Sequence, residues 1–342
     1  MLFLHSKKLE ELKMHWSPRM REEAEPSTNL RLYFGKCLEA KYCIPLKRLS
    51  FQNFYGANTG DLEHCFDPTT LHSTEMINCF GGATSTSSAA TIFVDETWKD
   101  IPEGKYFQNF KRTRTSEISE GHTRILSSFS GLEELYLVGE KSPNVSGHGI
   151  KSPVTDTPRS TPSSFSSPGS RTLEQANSAL CKQYLQVLFT HHGHSLKKLL
   201  LHDSWALSGD QISDVVSSCP NLEELGLGLS DNEPSAMRIL APFLKNARVI
   251  RILSNSWLEK SMITDSELQE HISTDLPEPL LWKLPPTTKL EWSGVGDRVF
   301  RIGKPVQVLD EDGRLEWKRE VWRATLDDVK HIDIWKMDSL EI

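Results

Sequence analysis

Apolar and polar positions along the chain repeat one short phrase. Leu196, Leu199 and Leu201 are spaced three and then two apart, and Leu222, Leu225 and Leu227 repeat that spacing 26 positions later. The last two of each triplet alternate with polar residues, the pattern of a short strand buried on one side. Between the two copies Ile212, Val215, Val216 and Cys219 fall at i, i+3, i+4 and i+7, which predicts an amphipathic helix. Ser208 stands at its N-cap and Pro220 stops it. Further copies are Leu9, Leu12 and Met14; Leu46, Leu49 and Phe51; Leu132, Leu135 and Leu137; and Ala247, Ile250 and Ile252. Leu71, Thr74 and Met76 form a weaker copy because Thr74 replaces a large apolar residue, and the interval 77–131 has room for one degenerate unit.

A strand and a helix cannot enclose a core by themselves, so such a unit is stable only when stacked on copies of itself. The expected fold is therefore α/β, a leucine-rich repeat solenoid with a curved parallel sheet and helices outside. Residues 1–140 carry irregular repeats and 173–260 regular ones. Lys141–Thr172 is rich in serine and proline with hardly an apolar side chain, and it buries too little to offset the entropy of ordering, so it is expected to be a disordered insertion. Thr172 is placed as the cap of a helix whose face is Leu173, Ala176, Leu180, Tyr184, Val187 and Leu188. Residues 261–342 are expected to hold a proline-rich linker, a β-meander and a final capping repeat. The meander is placed on Lys289–Trp292, Val299–Ile302, Val306–Leu309 and Leu315–Trp322, with Asp312-Gly313 as a hairpin turn. Val329, Ile332 and Ile334 bring the phrase back as a last strand that closes the apolar edge.

Net charge is −7 and the isoelectric point is near 6.0, with no block of five like charges. That gives no electrostatic reason to expect nucleic acid or an anionic membrane as partner. Six cysteines without a C-x-x-C pair fit structural thiols in a reducing compartment, and no apolar run reaches the length of a membrane span. A cytoplasmic or nuclear location follows. No cofactor and no metal site is expected: Gly81-Gly82-Ala83 lacks the lysine of a phosphate loop, and Gly193 breaks the helix that would align the His191-His192-Gly193-His194 cluster on a zinc ion. There is no nucleophile with a base at an interpretable spacing, so no catalytic residue is assigned.

In a horseshoe of this kind the triplet residues point into the core, and the residues alternating with them form the concave face on which protein targets bind. On that face Arg48, Tyr136, Lys198, Glu224, Arg251 and His331 are the expected contacts, with Tyr136, Arg48 and Arg251 favoured because aromatic and arginine side chains dominate interface energetics. Within the insertion five Ser-Pro or Thr-Pro pairs begin at Ser142, Ser152, Thr157, Thr161 and Ser167, candidates for proline-directed phosphorylation.

The segments CPNLEELGLGL, SLKKLLLHDSW and GLEELYLVGE resemble the leucine-rich repeat part of F-box proteins, in particular the large set in filamentous fungi. RVFRIGKPVQVLDEDG and DDVKHIDIWKMDSLEI resemble the tails of the same chains. The resemblance implies a substrate receptor that holds a protein target while a ubiquitin ligase, joined through a Skp-like adaptor, modifies it. The helical F-box that normally precedes the repeats has no counterpart before Leu9. The alternative is a repeat-only scaffold or sensor with no ligase link, regulated by phosphorylation of the Ser/Pro insertion.

Overall fold

In the computed structural model the described residues are 2–17, 28–57, 62–81, 91–92, 106–139, 168–230, 244–253, 280–282, 284, 287–296, 298–309 and 312–342. They belong to two compact units: Met1–Ser130 with Glu140–His191 and Leu340–Ile342, and Gly131–Gly139 with His192–Ser339. Both are mixed α/β, their sheets are mostly parallel, and none is closed into a barrel.

The first unit contains α1 (Leu2–His5), β1 (Glu11–His15), β2 (Thr28–Asn29), α2 (Leu30–Glu39), β3 (Arg48–Gln52), β4 (Tyr55–Ala57), α3 (Leu62–Cys65), β5 (Ser73–Ile77), β6 (Phe80–Gly81), β7 (Thr91–Ile92), β8 (Arg112–Thr115), α4 (Glu120–Ser127) and α5 (Pro168–Val187). Strands β1, β3, β5 and β8 lie side by side in parallel, and β2, β4, β6 and β7 form a small second sheet. The register puts Leu12 beside Leu49, Leu49 beside Thr74 and Thr74 beside Thr113, so the middle residues of successive triplets are lateral neighbours. The degenerate repeat expected in 77–131 is thus Phe110, Thr113 and Thr115, all buried. Two consecutive polar substitutions are tolerated because they satisfy each other: Thr74 Oγ1 and Thr113 Oγ1 share a buried hydrogen bond of 3.1 Å.

The corners after β3 and β5 are built alike. Asn53 and Asn78 both adopt left-handed backbone, with φ of 55° and 53°, a conformation asparagine tolerates better than most residues. Asn78 Nδ2 donates to Asn53 Oδ1 at 3.1 Å, and Asn53 Nδ2 donates to the Trp16 carbonyl at 3.3 Å. Aromatic rings fill the space beneath: Trp16, Phe51 and Phe54 pack with centroids 4.8–5.6 Å apart. A second cluster joins Phe107, Phe110 and Phe129 at 5.2–5.8 Å.

Helix α4 is fixed by Ser119, whose hydroxyl accepts the His122 N–H at 3.1 Å. The Ser119 N–H donates to Tyr184 Oη of α5 at 3.2 Å, and the same oxygen shares a buried hydrogen bond of 2.9 Å with His122 Nδ1. Both rings are removed from water, which disfavours the charged imidazolium. Burial accordingly pushes the His122 pKa down to about 4.

The second unit contains β9 (Glu134–Leu137), β10 (Lys198–Leu200), β11 (Ala206–Leu207), α6 (Gly209–Ser218), β12 (Glu224–Leu229), β13 (Val249–Ile252), β14 (Leu280–Trp282), β15 (Trp292–Val295), β16 (Arg298–Leu309), β17 (Leu315–Ala324), α7 (Leu326–Val329) and α8 (Asp333–Lys336). Strands β9, β10, β12, β13 and β15 are parallel, and β15, β16, β17 and β14 continue antiparallel. Leu135, Leu199, Leu225, Ile250 and Ser293 occupy one lateral row. Helix α6 falls where expected, with Ser208 and Gln211 forming a reciprocal capping box.

The same backbone link joins successive repeats. The carbonyl of Glu133 accepts the N–H groups of Lys197 and Lys198 at 2.8 and 3.1 Å, that of Lys197 accepts Glu223 and Glu224, and that of Glu223 accepts Arg248 and Val249. The Glu10, Lys47 and His72 carbonyls do likewise in the first unit.

The C-terminal region departs from the sequence reading in three ways. The strand expected at Lys289–Trp292 lies at Trp292–Val295 and, besides pairing antiparallel with β16, belongs to the parallel set. It pairs parallel to β13, and Leu290, Ser293 and Val295 stand where a triplet stands. Val299–Ile302 and Val306–Leu309 are one strand, β16, with an irregularity between Ile302 and Pro305 where the proline cannot donate to the ladder. The final capping strand is absent, because Val329 ends α7 and Ile334 lies in α8. A Thr-x-x-Asp box redirects the chain there: the Thr325 N–H and Oγ1 donate to Asp328 Oδ2 at 2.8 and 2.7 Å and start a helical turn.

All six cysteines are free. Burial pushes the Cys181 thiol up to about 11 and Cys219 up to about 12, which leaves both unreactive. Among the described residues no helix is long and apolar enough to cross a membrane.

Leu225→Ala, in the middle of the lateral row, is expected to cost about 2–5 kcal/mol, read as a lower urea midpoint. For His122 the folded pKa is depressed, so its contribution is complete above the unfolded value near 6.5 and is lost as pH falls toward 4. The loss amounts to about 3 kcal/mol, and His122→Asn is expected to flatten the fall of melting temperature between pH 7 and pH 5.

Candidate interaction surface

In the second unit the residues alternating with the triplets are Glu134 and Tyr136 on β9, Lys198 and Leu200 on β10, Glu224 and Gly226 on β12, and Val249 and Arg251 on β13. Gly294 continues this face on β15, beside Arg251. The face is not open to solvent. Tyr136, Leu200, Val249, Leu253 and Val299 form one buried cluster with Val329, Ile332, Ile334, Trp335 and Met337 from the last two helical turns. The chain's own segment 326–338 therefore covers the surface on which a protein target was expected.

That segment is held by polar contacts at both ends. The Lys198 ammonium pairs with Asp333 and lies 3.6 and 3.7 Å from Glu134 and Glu224. Burial alone would lower the Lys198 pKa, but its hydrogen bond to Asp333 and the surrounding carboxylates outweigh it and hold the group above its ordinary value. Glu224 Oε2 accepts the Ile334 N–H at 3.1 Å, satisfying an orphan donor at the start of α8. Burial nevertheless raises the Glu224 carboxyl, against the lowering influence of that N–H and of Lys198. Arg251 donates to the Ile334 carbonyl at 3.1 Å, pairs with Asp338 at 2.9 Å and lies 5.6 Å from the centre of the Trp335 ring.

Trp335 fits only because Gly294 has no side chain. A Cβ there would come within 2.6 Å of Trp335 Cζ2. The fit is incomplete in polar terms: Trp335 Nε1 and Arg251 Nε are buried without a hydrogen-bond partner among the described residues.

The expected contact residues therefore divide. Lys198, Glu224 and Arg251 are brought to one place and each binds residues 333–338. Tyr136 is fully buried, its hydroxyl donating to Glu134 Oε2 at 2.9 Å, so it is core and not an exposed contact. Arg251 is likewise buried and already paired, where an exposed side chain was expected. His331 is exposed but lies between α7 and α8, off any strand. Arg48, in the first unit, is half exposed and paired with Glu11 at 2.8 Å. In that unit the last residues lie against the same kind of face: Gln52 Nε2 donates to the Leu340 carbonyl at 2.5 Å and Arg114 to that of Glu341 at 2.8 Å.

Sequence reasoning missed Trp335, Asp338 and Gly294. The Thr325-x-x-Asp328 box was the available signal that a helical turn, and not a strand, precedes them. His192 of the histidine cluster is buried, its Nδ1 accepting the Leu132 N–H at 3.3 Å. Among the described residues no group of three His, Cys, Asp or Glu could hold a metal ion. Ser142, Ser152, Thr157, Thr161 and Ser167 lie outside the described residues. No protein-family model matches the chain, and no curated protein matches it.

Arg251→Ala breaks the buried pair with Asp338, a change that costs about 3–5 kcal/mol. The expected outcome is loss of amide-exchange protection across 333–338, whereas Arg48→Ala, at an exposed pair, leaves protection in this segment unchanged.

Proposed function

We propose that the chain is a leucine-rich repeat solenoid acting as a non-catalytic recognition scaffold, the substrate-recognition part of an F-box-like ubiquitin-ligase receptor. The observation that carries the scaffold reading is the lateral row of triplets, in register in each unit and joined by the same doubly accepting carbonyl. A chain built from one repeated unit offers a wide face assembled from several strands, the geometry suited to gripping a protein. The three charged residues placed on that face already grip a peptide, namely the chain's own residues 333–338. The ligase half of the reading is supported by the resemblance of CPNLEELGLGL and DDVKHIDIWKMDSLEI to F-box receptors. In such a receptor the repeats contribute proximity: they hold the target while separate enzymes transfer ubiquitin.

Native affinity purification of the full-length gene product tests both halves. Recovery of a Skp-like adaptor together with target proteins is expected. Recovery of targets without an adaptor leaves a ligase-free scaffold, and recovery of neither overturns the proposal.

A further inference from the structure

The segment Asp333–Asp338 is bound as a ligand would be. Its two carboxylates meet two cations: Asp333 pairs with Lys198, and Asp338 pairs with Arg251 at 2.9 Å. Its backbone is read at Ile334, whose N–H is accepted by Glu224 at 3.1 Å and whose carbonyl is donated to by Arg251 at 3.1 Å. Its tryptophan occupies a slot that exists only because residue 294 is glycine. A charged pair, a backbone clamp and a shaped slot, all supplied by β10, β12, β13 and β15, specify a short sequence and do more than fill space.

We infer that this face of the second unit is a peptide-recognition site occupied in cis, and that its partner is a protein segment carrying an acidic residue, an aromatic residue two positions on and a second acidic residue three further, as in Asp333, Trp335 and Asp338. The inference deepens the scaffold reading and rests on it. The partner displaces the resident segment. Displacement is feasible because docking leaves the Trp335 Nε1 and Arg251 Nε donors buried without a hydrogen bond, so part of the desolvation they suffer is not compensated. A partner able to supply an acceptor to either atom gains that compensation over the resident segment. Occupation in cis also sets a threshold: if the face is open for one hundredth of the time, apparent affinity for a partner falls about 100-fold.

Amide exchange on the full chain gives the first test. Residues 333–337 are expected to exchange through an opening well below the global unfolding free energy, while β10, β12 and β13 stay protected. Exchange of 333–337 only with global unfolding makes the segment an inseparable part of the core and overturns the inference. The second test titrates a fluorescent peptide of residues 329–340 into the full chain and into the full-length Gly294→Ala and Lys198→Glu variants. In Gly294→Ala the slot itself is blocked, so neither the resident tryptophan nor the peptide fits. Trp335→Ala weakens only the resident segment, and this variant is expected to bind the peptide at least tenfold more tightly than the unaltered chain. Lys198→Glu introduced into Trp335→Ala is expected to abolish the gain, as is a peptide with its tryptophan replaced by alanine. A Trp335→Ala chain that melts cooperatively yet binds no peptide overturns the inference, and one that does not fold does so too, by showing the segment to be indispensable core. Failure of the affinity purification would remove the scaffold reading and leave these peptide results standing, so the two outcomes are distinguishable.

Discussion

Lateral registration of the triplets is the constraint on which the structure depends. A strand of three to six residues buries too little to be stable, and its burial becomes worthwhile only when the strand beside it presents the same apolar row at the same height. Carbonyls such as those of Glu133, Lys197 and Glu223 enforce that height, each holding the first two amides of the next repeat. A slip of one residue would turn Leu199 or Leu225 to the opposite face and break two hydrogen bonds at every junction. Because the register is backbone-encoded, the side chains are free to vary, which explains how Thr74, Thr113 and Ser293 occupy positions that leucine or isoleucine fills elsewhere.

Fixing one face of the sheet leaves the other to be dealt with. In the second unit it combines charged residues and two glycines with the apolar Tyr136, Leu200 and Val249, which need cover from water. The covering comes from residues 326–338, which bring five apolar side chains and two aspartates to it. Burial of each large side chain contributes roughly 1.5–3 kcal/mol, offset by the ordering of the segment and by the buried donors left unpaired at Trp335 and Arg251. The balance is what separates a covering element that stays in place permanently from one that exchanges with a partner.

Charge works differently at different depths. The pairs Lys47–Glu10 and Arg248–Glu291 join neighbouring repeats at 2.7 and 2.9 Å but are about half exposed, and solvent screens them. They guide register without contributing much stability. Arg251 and Asp338 are both buried, so their pair is little screened and its loss is costly. The neutral state of His122 belongs to the same logic: the ring is buried beside Tyr184 with no carboxylate to pair with a charged imidazolium in the bonds it makes, and burial holds it neutral.

The sequence by itself determined the repeat. Triplets at Leu12, Leu49, Leu135, Leu199, Leu225 and Ile250 could be placed because spacing and alternation follow from strand geometry alone, and helix α6 because its cap and its stop are local signals. The degenerate copies at Phe110 and Leu290 were harder to read, since threonine and serine carry no apolar signal and only the neighbouring strands reveal their row. Tertiary structure alone decided the fate of the last phrase. Val329, Ile332 and Ile334 have a spacing that fits either a strand or two helical turns, and the capping carboxylate of Asp328 together with the uncovered face settled it as turns. The exposure of Tyr136 and Arg251 was decided in the same way, because alternation says which face a side chain is on, whereas what lies over that face is fixed by a segment more than eighty residues distant along the chain.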